Sequence, residues 1–241
     1  MKERLDKILS SMGICSRKEA KTLVKEKVIR VNDKIVISSD EKFDPESDKI
    51  YIKEQPLNYR KNIYLMMNKP AGVISATNDD HEKTVIDLLP KEYKRPGLFP
   101  VGRLDKDTEG LLLITDDGGL AHDLLSPRKH VDKTYFVKAD GVLEEKDIAS
   151  FKDGIVLADG TKCMSAVLEI IQNEMKDEAY VTIKEGKYHQ VKRMFASIHK
   201  PVLYLKRIRM GTLKLDDKLK EGCVRILSDE EIFMLKNQKN N

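Results

Sequence analysis

Short apolar segments of strand length recur from residue 63 to residue 215, and this pattern constrains the fold of the chain more than any other feature. We interpret the following segments as strands: residues 63–67, 111–114, 133–137, 155–157, 166–171, 179–184, 202–209 and 213–215. Helical patterns are fewer and short, at residues 84–89, 120–125, 144–151 and 189–198. Strands and helices do not alternate strictly, so the pattern predicts an α+β domain built on a mostly antiparallel mixed sheet with flanking helices.

The first 55 residues have a pattern of their own. Apolar residues at helical spacing predict a helix that ends at Gly13, namely Leu5, Ile8, Leu9 and Met12. Ser16 and Glu19 are spaced as a capping box, which predicts a second helix from Ser16 onward. The exposed side of this second helix is predicted to be basic, with Arg17, Lys18, Lys21 and Lys25. Three short strands are predicted to follow, at residues 28–31, 35–37 and 50–52.

The segment after this first unit contains proline and polar residues without apolar periodicity, which indicates a linker. We therefore predict a first domain at residues 1–55, a linker at 56–62, a second domain at 63–235 and a tail at 236–241. The tail is expected to fray, as chain ends do when nothing fixes them.

Charge is distributed unevenly along the chain. The net charge is only +4, but residues 184–214 hold nine basic residues against one acidic residue, a local charge of +8 that leaves −4 elsewhere. A concentrated basic stripe of this kind predicts binding to a phosphate backbone. Tyr188, Phe195 and Tyr204 interleave with the basic residues, and we interpret each of them as a core residue.

Several classes of protein are disfavoured by composition. Charged residues make up 35% of the chain and apolar residues 40%, which argues against disorder. The three cysteines match neither a zinc spacing nor a disulfide framework, and the five histidines form no pair at i, i+4, so we predict no metal site. Long apolar runs and the core of a signal peptide are absent, which predicts a soluble cytoplasmic protein without a membrane partner.

Asp105 stands in a charged loop at residues 102–110, directly before the apolar segment 111–114. A loop held by a buried strand is a common place for a reactive group, because the strand fixes its geometry. The alternative is that Asp105, Asp107 and Thr108 are turn and cap residues, and the loop by itself favours this alternative. Arg-Leu-Asp-Lys occurs both at residues 103–106 and at residues 4–7, where Asp6 is expected on the solvated side of a helix, so the four residues alone carry no function.

Three segments in chain order resemble the signatures of the pseudouridine synthases: Gly-Arg-Leu-Asp at residues 102–105, Lys-Thr-Tyr at 133–135 and Glu-Gly-Lys-Tyr-His-Gln-Val-Lys-Arg-Met-Phe at 185–195. Residues 1–55 resemble the S4 RNA-binding domain, through Arg-Leu-Asp-x-x-Leu at 4–9, Ser-Arg-x-x-Ala at 16–20 and Val-Asn at 31–32. Lys27 and Asp33 depart from this pattern, since glycine is usual at both positions. The resemblance spans nearly the whole chain and implies a small S4-like module followed by a pseudouridine synthase catalytic domain.

Within that family, the chain resembles in particular the branch that modifies small-subunit ribosomal RNA. The large-subunit branch typically has Asn-Arg-Glu-Val-Arg-Arg where this chain has Tyr-His-Gln-Val-Lys-Arg at residues 188–193. The resemblance implies 16S ribosomal RNA as the partner, alone or in a partly assembled small subunit, with position 516 as the usual target. We expect no cofactor, because isomerising uridine oxidises nothing. We also expect a monomer. A synthase acting on 23S rRNA and a non-catalytic rRNA-binding assembly factor remain alternatives.

The resemblance also implies roles for individual residues. Asp105 is the expected catalytic carboxylate, acting as nucleophile at C1′ of the ribose or as base at C2′. Lys192 is the expected cation beside it, with Arg193 as the alternative, and lysine departs here from the commoner arginine. Tyr135 is expected to stack on the uracil and to help remove the C5 proton, although a core tyrosine on an alternating strand fits the sequence equally well.

Two further sets of residues are expected to contact the substrate. Arg103 is expected to support a nucleotide flipped out of its helix, with a structural ion pair as its alternative. The other substrate-binding residues are expected to be His189, Gln190 and Arg193. The residues expected to bind the RNA backbone are Arg4, Arg17, Lys18, Lys21, Lys25, Lys206, Arg207 and Arg209.

Overall fold

A computed structural model describes residues 1–172 and 174–238. The chain divides into two compact units. The first comprises Met1–Ile63 and Leu89–Leu98, and the second comprises Tyr64–Leu88 and the chain from Phe99 onward. The predicted domain limits at residues 55, 62 and 235 remain predictions.

The first unit contains two helices and two small sheets. Its elements are β1 (Glu3–Arg4), α1 (Leu5–Ser11), α2 (Arg17–Lys25), β2 (Ile29–Val31), β3 (Lys34–Ile35), β4 (Lys42–Phe43), β5 (Ile50–Ile52), β6 (Gln55–Pro56) and a 3-10 turn at Lys91–Tyr93. The four-stranded sheet is antiparallel with the order β3-β2-β5-β6, and β1 pairs with β4. The apolar residues of α1 and α2 pack against this sheet in one core. Because β6 pairs with β5, part of the segment interpreted as a linker is a strand.

The start of α2 follows the predicted capping box. Ser16 Oγ accepts a hydrogen bond from the Glu19 backbone at 3.2 Å, and Glu19 Oε2 accepts one from the Ser16 backbone at 2.7 Å. These bonds satisfy two of the amides that a helix leaves free at its first turn. The four basic side chains predicted on the outer face of α2 are all exposed.

The prediction that Asp6 is solvated is wrong. Its side chain is buried, and Arg4 donates hydrogen bonds to both carboxylate oxygens, from Nε at 3.1 Å and from Nη2 at 2.8 Å. These hydrogen bonds from Arg4 lower the pKa of Asp6, because they stabilise the charged carboxylate. Arg4 also pairs with Asp40, so its guanidinium is already occupied by two carboxylates, which does not fit the RNA-binding role expected for it.

The second unit is built on one large sheet. Its elements are β7 (Tyr64–Lys69), β8 (Phe99–Pro100), β9 (Glu109–Thr115), α3 (Gly118–Leu125), a 3-10 turn at Pro127–Lys129, β10 (Lys133–Ala139), α4 (Glu145–Asp153), β11 (Val167–Ile170), β12 (Glu178–Ile183), α5 (Gln190–Ser197), β13 (Val202–Met210), β14 (Leu213–Lys214), β15 (Val224–Ile226) and α6 (Asp229–Lys236). The sheet has nine strands in the order β11-β12-β10-β13-β9-β7-β15, with β14 on β13 and β8 on β9. Only the pairing of β13 with β9 is parallel among these described strands. The predicted α+β class with a mostly antiparallel mixed sheet is confirmed.

The centre of this sheet explains the apolar runs in the sequence. All six residues of β7 are buried, and so are residues 110–115 of β9, because both strands are covered on both faces. In contrast, β10 alternates buried and half-buried residues along its length. Residues of β7, β9 and α3 form one hydrophobic cluster together with Met210, Leu227 and Leu235. The buried β9 thus anchors the loop that precedes it.

Some elements differ from the sequence-based expectation. Residues 84–89 form a turn closed by hydrogen bonds between Thr84 and Asp87, and the predicted helix there is wrong. The predicted strand at residues 155–157 is a single bridge between Val156 and Lys162. The apolar pattern predicts neither β15 nor α6, and α6 extends to Lys236, the first residue of the predicted tail. The end of that tail, residues 239–241, lies outside the described residues. Within residues 1–172 and 174–238, no helix combines the length and apolar character needed to cross a membrane.

Candidate active site

Asp105 lies in the loop between β8 and β9, at the edge of a cleft in the second unit. The cleft has a volume of about 870 Å³, and both Tyr135 and Lys192 line it with Asp105. The loop turns sharply, since the Thr108 backbone donates a hydrogen bond to the Asp105 carbonyl oxygen at 3.1 Å. The Asp105 side chain is 28% exposed, so its carboxylate can be reached from the cleft.

A buried lysine supports this loop from beneath. Lys69 ends β7 and is completely buried, and its Nζ lies within hydrogen-bond distance of four carbonyl oxygens. These belong to Thr108 at 2.8 Å, Pro70 at 2.9 Å, Asp105 at 3.1 Å and Lys106 at 3.2 Å. Burial lowers the pKa of Lys69 to about 8, because a desolvated ammonium is disfavoured. No role for Lys69 is predicted from the sequence, although a lysine at the end of an apolar strand could have indicated one.

A serine side chain and a glycine complete the support of the loop. Ser75 Oγ accepts a hydrogen bond from the Leu104 backbone at 3.0 Å and donates one to the Leu104 carbonyl at 2.9 Å. Gly110 has a φ of +98°, and a Cβ atom there would lie 2.3 Å from the carbonyl oxygen of Arg207 on the neighbouring parallel strand. Only glycine therefore fits at the point where the loop joins β9.

Lys192 is the cation that contacts the candidate catalytic carboxylate. Its Nζ lies 3.2 Å from Asp105 Oδ2 and also donates a hydrogen bond to Asp107 Oδ1. Partial burial opposes the charge of Lys192, but the hydrogen bonds to Asp107 and Asp105 prevail and raise its pKa. The hydrogen bond from Lys192 likewise lowers the pKa of Asp107. The alternative cation, Arg193, pairs with Asp159 instead.

His189 and Tyr188 extend the site from Asp105 toward the rim of the cleft. His189 precedes α5 in the left-handed backbone region, with a φ of +47°, and its Nε2 lies 3.5 Å from Asp105 Oδ1. Its ring stacks on that of Tyr188, with centroids 3.9 Å apart and an interplanar angle of 18°. The interpretation of Tyr188 as a core residue is wrong, since it is 71% exposed. Phe195 is completely buried, as predicted.

Gln190 occupies a different position from the one expected of a substrate-binding residue. Its side chain is buried, Nε2 donates to Glu185 Oε1 at 2.7 Å, and Oε1 accepts from the Lys187 backbone at 2.9 Å. Because both ends of the amide are engaged within the protein, Gln190 orders the loop before α5. The expectation that it binds substrate directly does not fit this geometry.

Tyr135 and Arg103 lie on different parts of the cleft wall. Tyr135 is buried in β10 between β12 and β13, yet it also lines the cleft, so it is both a core residue and part of the site. Arg103 is exposed and lines the cleft as well. Within the described residues, Arg103 makes no ion pair, which removes the structural alternative considered for it.

The basic residues of β13 do not form one exposed stripe. Lys206 is half-buried and Arg209 is exposed, but Arg207 is only 2% exposed and its Nε donates to the Leu111 carbonyl at 2.8 Å. A β-bulge explains the difference, because Tyr135 pairs with Arg207 and the preceding Thr134 pairs with Arg209. A contact between Arg207 and the RNA backbone, as predicted from sequence, does not fit its burial.

Comparison with known proteins agrees with this fold and site. The profile of the RNA pseudouridylate synthase family matches residues 63–197, and that of the S4 domain matches residues 3–48. The chain therefore belongs to the RNA pseudouridine synthases and carries an S4 domain.

Individual relatives share almost the full length of the chain. An uncharacterized RNA pseudouridine synthase of Bacillus subtilis is 46% identical over 96% of this chain and 98% of its own. Ribosomal small subunit pseudouridine synthase A of Haemophilus influenzae is 36% identical, covering 96% of this chain and 99% of its own. Ribosomal large subunit pseudouridine synthase B of Bacillus subtilis is also 36% identical, with 97% and 96% covered. A solved pseudouridylate synthase structure superposes with a TM-score of 0.66 at 35% identity, covering 96% of this chain and 99% of that one.

Proposed function

We propose that this protein isomerises a uridine of 16S ribosomal RNA to pseudouridine and that Asp105 is its catalytic carboxylate. The observation that carries this proposal is the position of Asp105 on the cleft, with Lys192 Nζ 3.2 Å from its Oδ2 and Tyr135 on the same cleft. These are the three groups for which the family resemblance implies catalytic roles.

The reaction requires a carboxylate, a place for the base to turn and no oxidant. The C1′–N1 bond breaks, the uracil rotates, and a C1′–C5 bond forms; C5 loses a proton and N1 gains one, so that substrate and product are isomers. Asp105 starts this sequence by attacking C1′ or by removing a proton at C2′. Tyr135 stacks on the uracil and helps to remove the C5 proton.

The surrounding charges suit a carboxylate that works beside RNA. Phosphates brought close to Asp105 repel it, and the ammonium of Lys192 offsets that repulsion. Arg103, exposed on the cleft, supports the flipped nucleotide. The exposed basic face of α2 binds phosphates, and so do the accessible Lys206 and Arg209.

The choice of 16S rRNA over 23S rRNA is supported by the residues that follow Gly186. Tyr-His-Gln-Val-Lys-Arg at residues 188–193 resembles the small-subunit branch, and the relative from Haemophilus influenzae is named for the small subunit. The large-subunit relative from Bacillus subtilis has the same identity, 36%, which makes 23S rRNA the second candidate.

Substrate choice is tested by giving the purified protein 16S or 23S rRNA that carries tritium at C5 of uridine. We expect tritium release from 16S rRNA alone, with one new pseudouridine found by mapping. Release from 23S rRNA only would assign the protein to the large subunit. Release from neither, also with partly assembled subunits, would contradict the proposed activity on ribosomal RNA.

A further inference from the structure

Tyr188 is the most exposed tyrosine or phenylalanine in the part of the chain that the structure describes. It is 71% exposed, although an aromatic ring usually buries most of its surface in a folded protein. One face of the ring stacks on His189, with the ring centroids 3.9 Å apart. The ring is therefore held in a defined orientation while much of its surface faces solvent.

The position of this ring is fixed by the catalytic loop and by α5. His189 touches Tyr188 through its ring face and Asp105 through Nε2, which lies 3.5 Å from the carboxylate. The left-handed backbone of His189, at a φ of +47°, is unfavourable for a residue with a Cβ atom. Both Tyr188 and His189 line the cleft. A continuous row of groups thus runs from the carboxylate through His189 to the outer ring of Tyr188.

A flat, exposed aromatic ring in an RNA-modifying enzyme offers a surface on which a nucleobase can stack. Flipping a uridine into the cleft breaks the stacking between that uridine and the next base along the strand. Exposed aromatic rings stack on unpaired bases of single-stranded RNA, at about 1–3 kcal/mol per base and with little dependence on base identity. The phosphodiester link keeps the neighbouring base close to the target, and Tyr188 lies only one stacked ring away from the group that touches Asp105.

We propose that the outer face of Tyr188 is a stacking platform for the base of the nucleotide next to the target uridine. This inference rests on the proposed function, since it assumes that the target uridine enters the cleft beside Asp105. His189 is a positioning residue in this arrangement, because it orients the Tyr188 ring. The platform replaces the stacking that the neighbouring base loses when the target is flipped, and it adds affinity without reading a base sequence.

The test uses single-stranded fragments of the modified rRNA that contain the target uridine. One fragment has all its bases, and two others have an abasic site on the 5′ or the 3′ side of the target. Their dissociation constants are measured with the full-length protein, with Tyr188→Ala and with Tyr188→Phe. Phe233→Ala is the matched control, because Phe233 on α6 is 67% exposed and does not line the cleft.

We expect Tyr188→Ala to weaken binding of the complete fragment by about 5- to 150-fold, the range that corresponds to one stacked base. Tyr188→Phe retains binding within about threefold because it keeps the ring, and Phe233→Ala has no effect. For one of the two abasic fragments, we expect the affinity of the wild type to fall by this same factor relative to the complete fragment. For that fragment, Tyr188→Ala is expected to cause no further loss of affinity. An equal effect of Tyr188→Ala on all three fragments, or unchanged binding, would overturn the platform. Tritium release by the wild type is scored separately, so failure of the proposed reaction is distinguished from failure of the platform.

Discussion

Lys192 Nζ lies 3.2 Å from Asp105 Oδ2 and also donates a hydrogen bond to Asp107, so one ammonium serves two carboxylates of the same loop. The two contacts are not equivalent. Asp105 is 28% exposed in the cleft, whereas Asp107 is 74% exposed. Because water screens an exposed pair strongly, we expect the contact with Asp105 to be the one that matters for the proposed chemistry.

Replacing Lys192 with methionine removes this positive charge and nearly preserves the length of the side chain. We expect the single-turnover rate of tritium release to fall roughly 10- to 100-fold, because a partly buried carboxylate loses its partner. Lys192→Arg, which keeps the charge, is expected to recover most of the rate. RNA affinity, measured by filter binding, separates this effect from a loss of substrate binding.

Asp107→Asn is the matched control for that experiment. It removes the more exposed of the two carboxylates and leaves the pair between Lys192 and Asp105 intact, so the rate is expected to change by less than about fivefold. A larger loss in Asp107→Asn than in Lys192→Met would show that the two carboxylates have been assigned the wrong roles.

The lowered pKa of Lys69 predicts how the free energy of unfolding changes with pH. Its pKa is about 8 in the folded protein and near the ordinary value of 10.5 in the unfolded chain. Between these values the unfolded chain binds more protons, so the free energy of unfolding contributed by Lys69 rises with pH from about 8 to about 10.5. Below pH 8 the ammonium is charged in both states, and its contribution is constant.

The variant that isolates this contribution is Lys69→Met. Urea unfolding of both proteins at pH 8 and pH 10 should show the stability of wild type over variant increasing with pH, by at most about 3 kcal/mol. Lys133, whose pKa burial lowers to about 8 in the same way, is present in both proteins and cancels in the difference. A difference that stays flat or falls over this interval would contradict the assignment.

The conformation of Gly110 predicts that a larger residue at the junction of the loop and β9 destabilises the fold. Gly110→Ala places a Cβ atom 2.3 Å from the Arg207 carbonyl oxygen and demands a φ of +98°, so we expect a loss of roughly 2 kcal/mol or more in the free energy of unfolding. Gly118→Ala is the control, because nothing lies within 4 Å of its added Cβ atom and alanine favours the start of α3. Equal melting curves for Gly110→Ala and wild type would refute the clash.

If the basic face of α2 binds RNA, its residues contribute to the salt dependence of RNA affinity. If Lys21 neutralises one phosphate, Lys21→Gln should reduce the slope of log affinity against log salt by about 0.7 to 0.9. Lys152→Gln removes an exposed charge from α4 and is expected to leave the slope unchanged. Identical slopes for the two variants would mean that α2 does not contact the RNA backbone.

The strands of the core could be predicted because burial on both faces leaves an apolar run, as in β9. The capping box at Ser16 could be predicted because its two hydrogen bonds involve neighbours in the sequence. Each of these features depends on local chemistry, which the sequence displays directly.

The environment of individual side chains could not be predicted in the same way. Arg207 is buried and Arg209 is exposed, although both occupy the same position in an alternating pattern, because a bulge separates them. Tyr188 is an aromatic residue of the kind expected in a core, but it lies on the surface, in a loop next to His189 with its left-handed backbone. Lys69 is buried because four carbonyl oxygens from two separate segments surround its ammonium, and periodicity does not reveal such a site.

The most direct test of the catalytic role of Asp105 is tritium release by Asp105→Asn from 5-tritiated uridine RNA. The amide keeps the shape of the side chain but cannot act as a nucleophile or base in the same way, so we expect release to be abolished while RNA affinity stays within about threefold of wild type. Full release by Asp105→Asn would contradict the central claim, because the reaction would then proceed without this carboxylate.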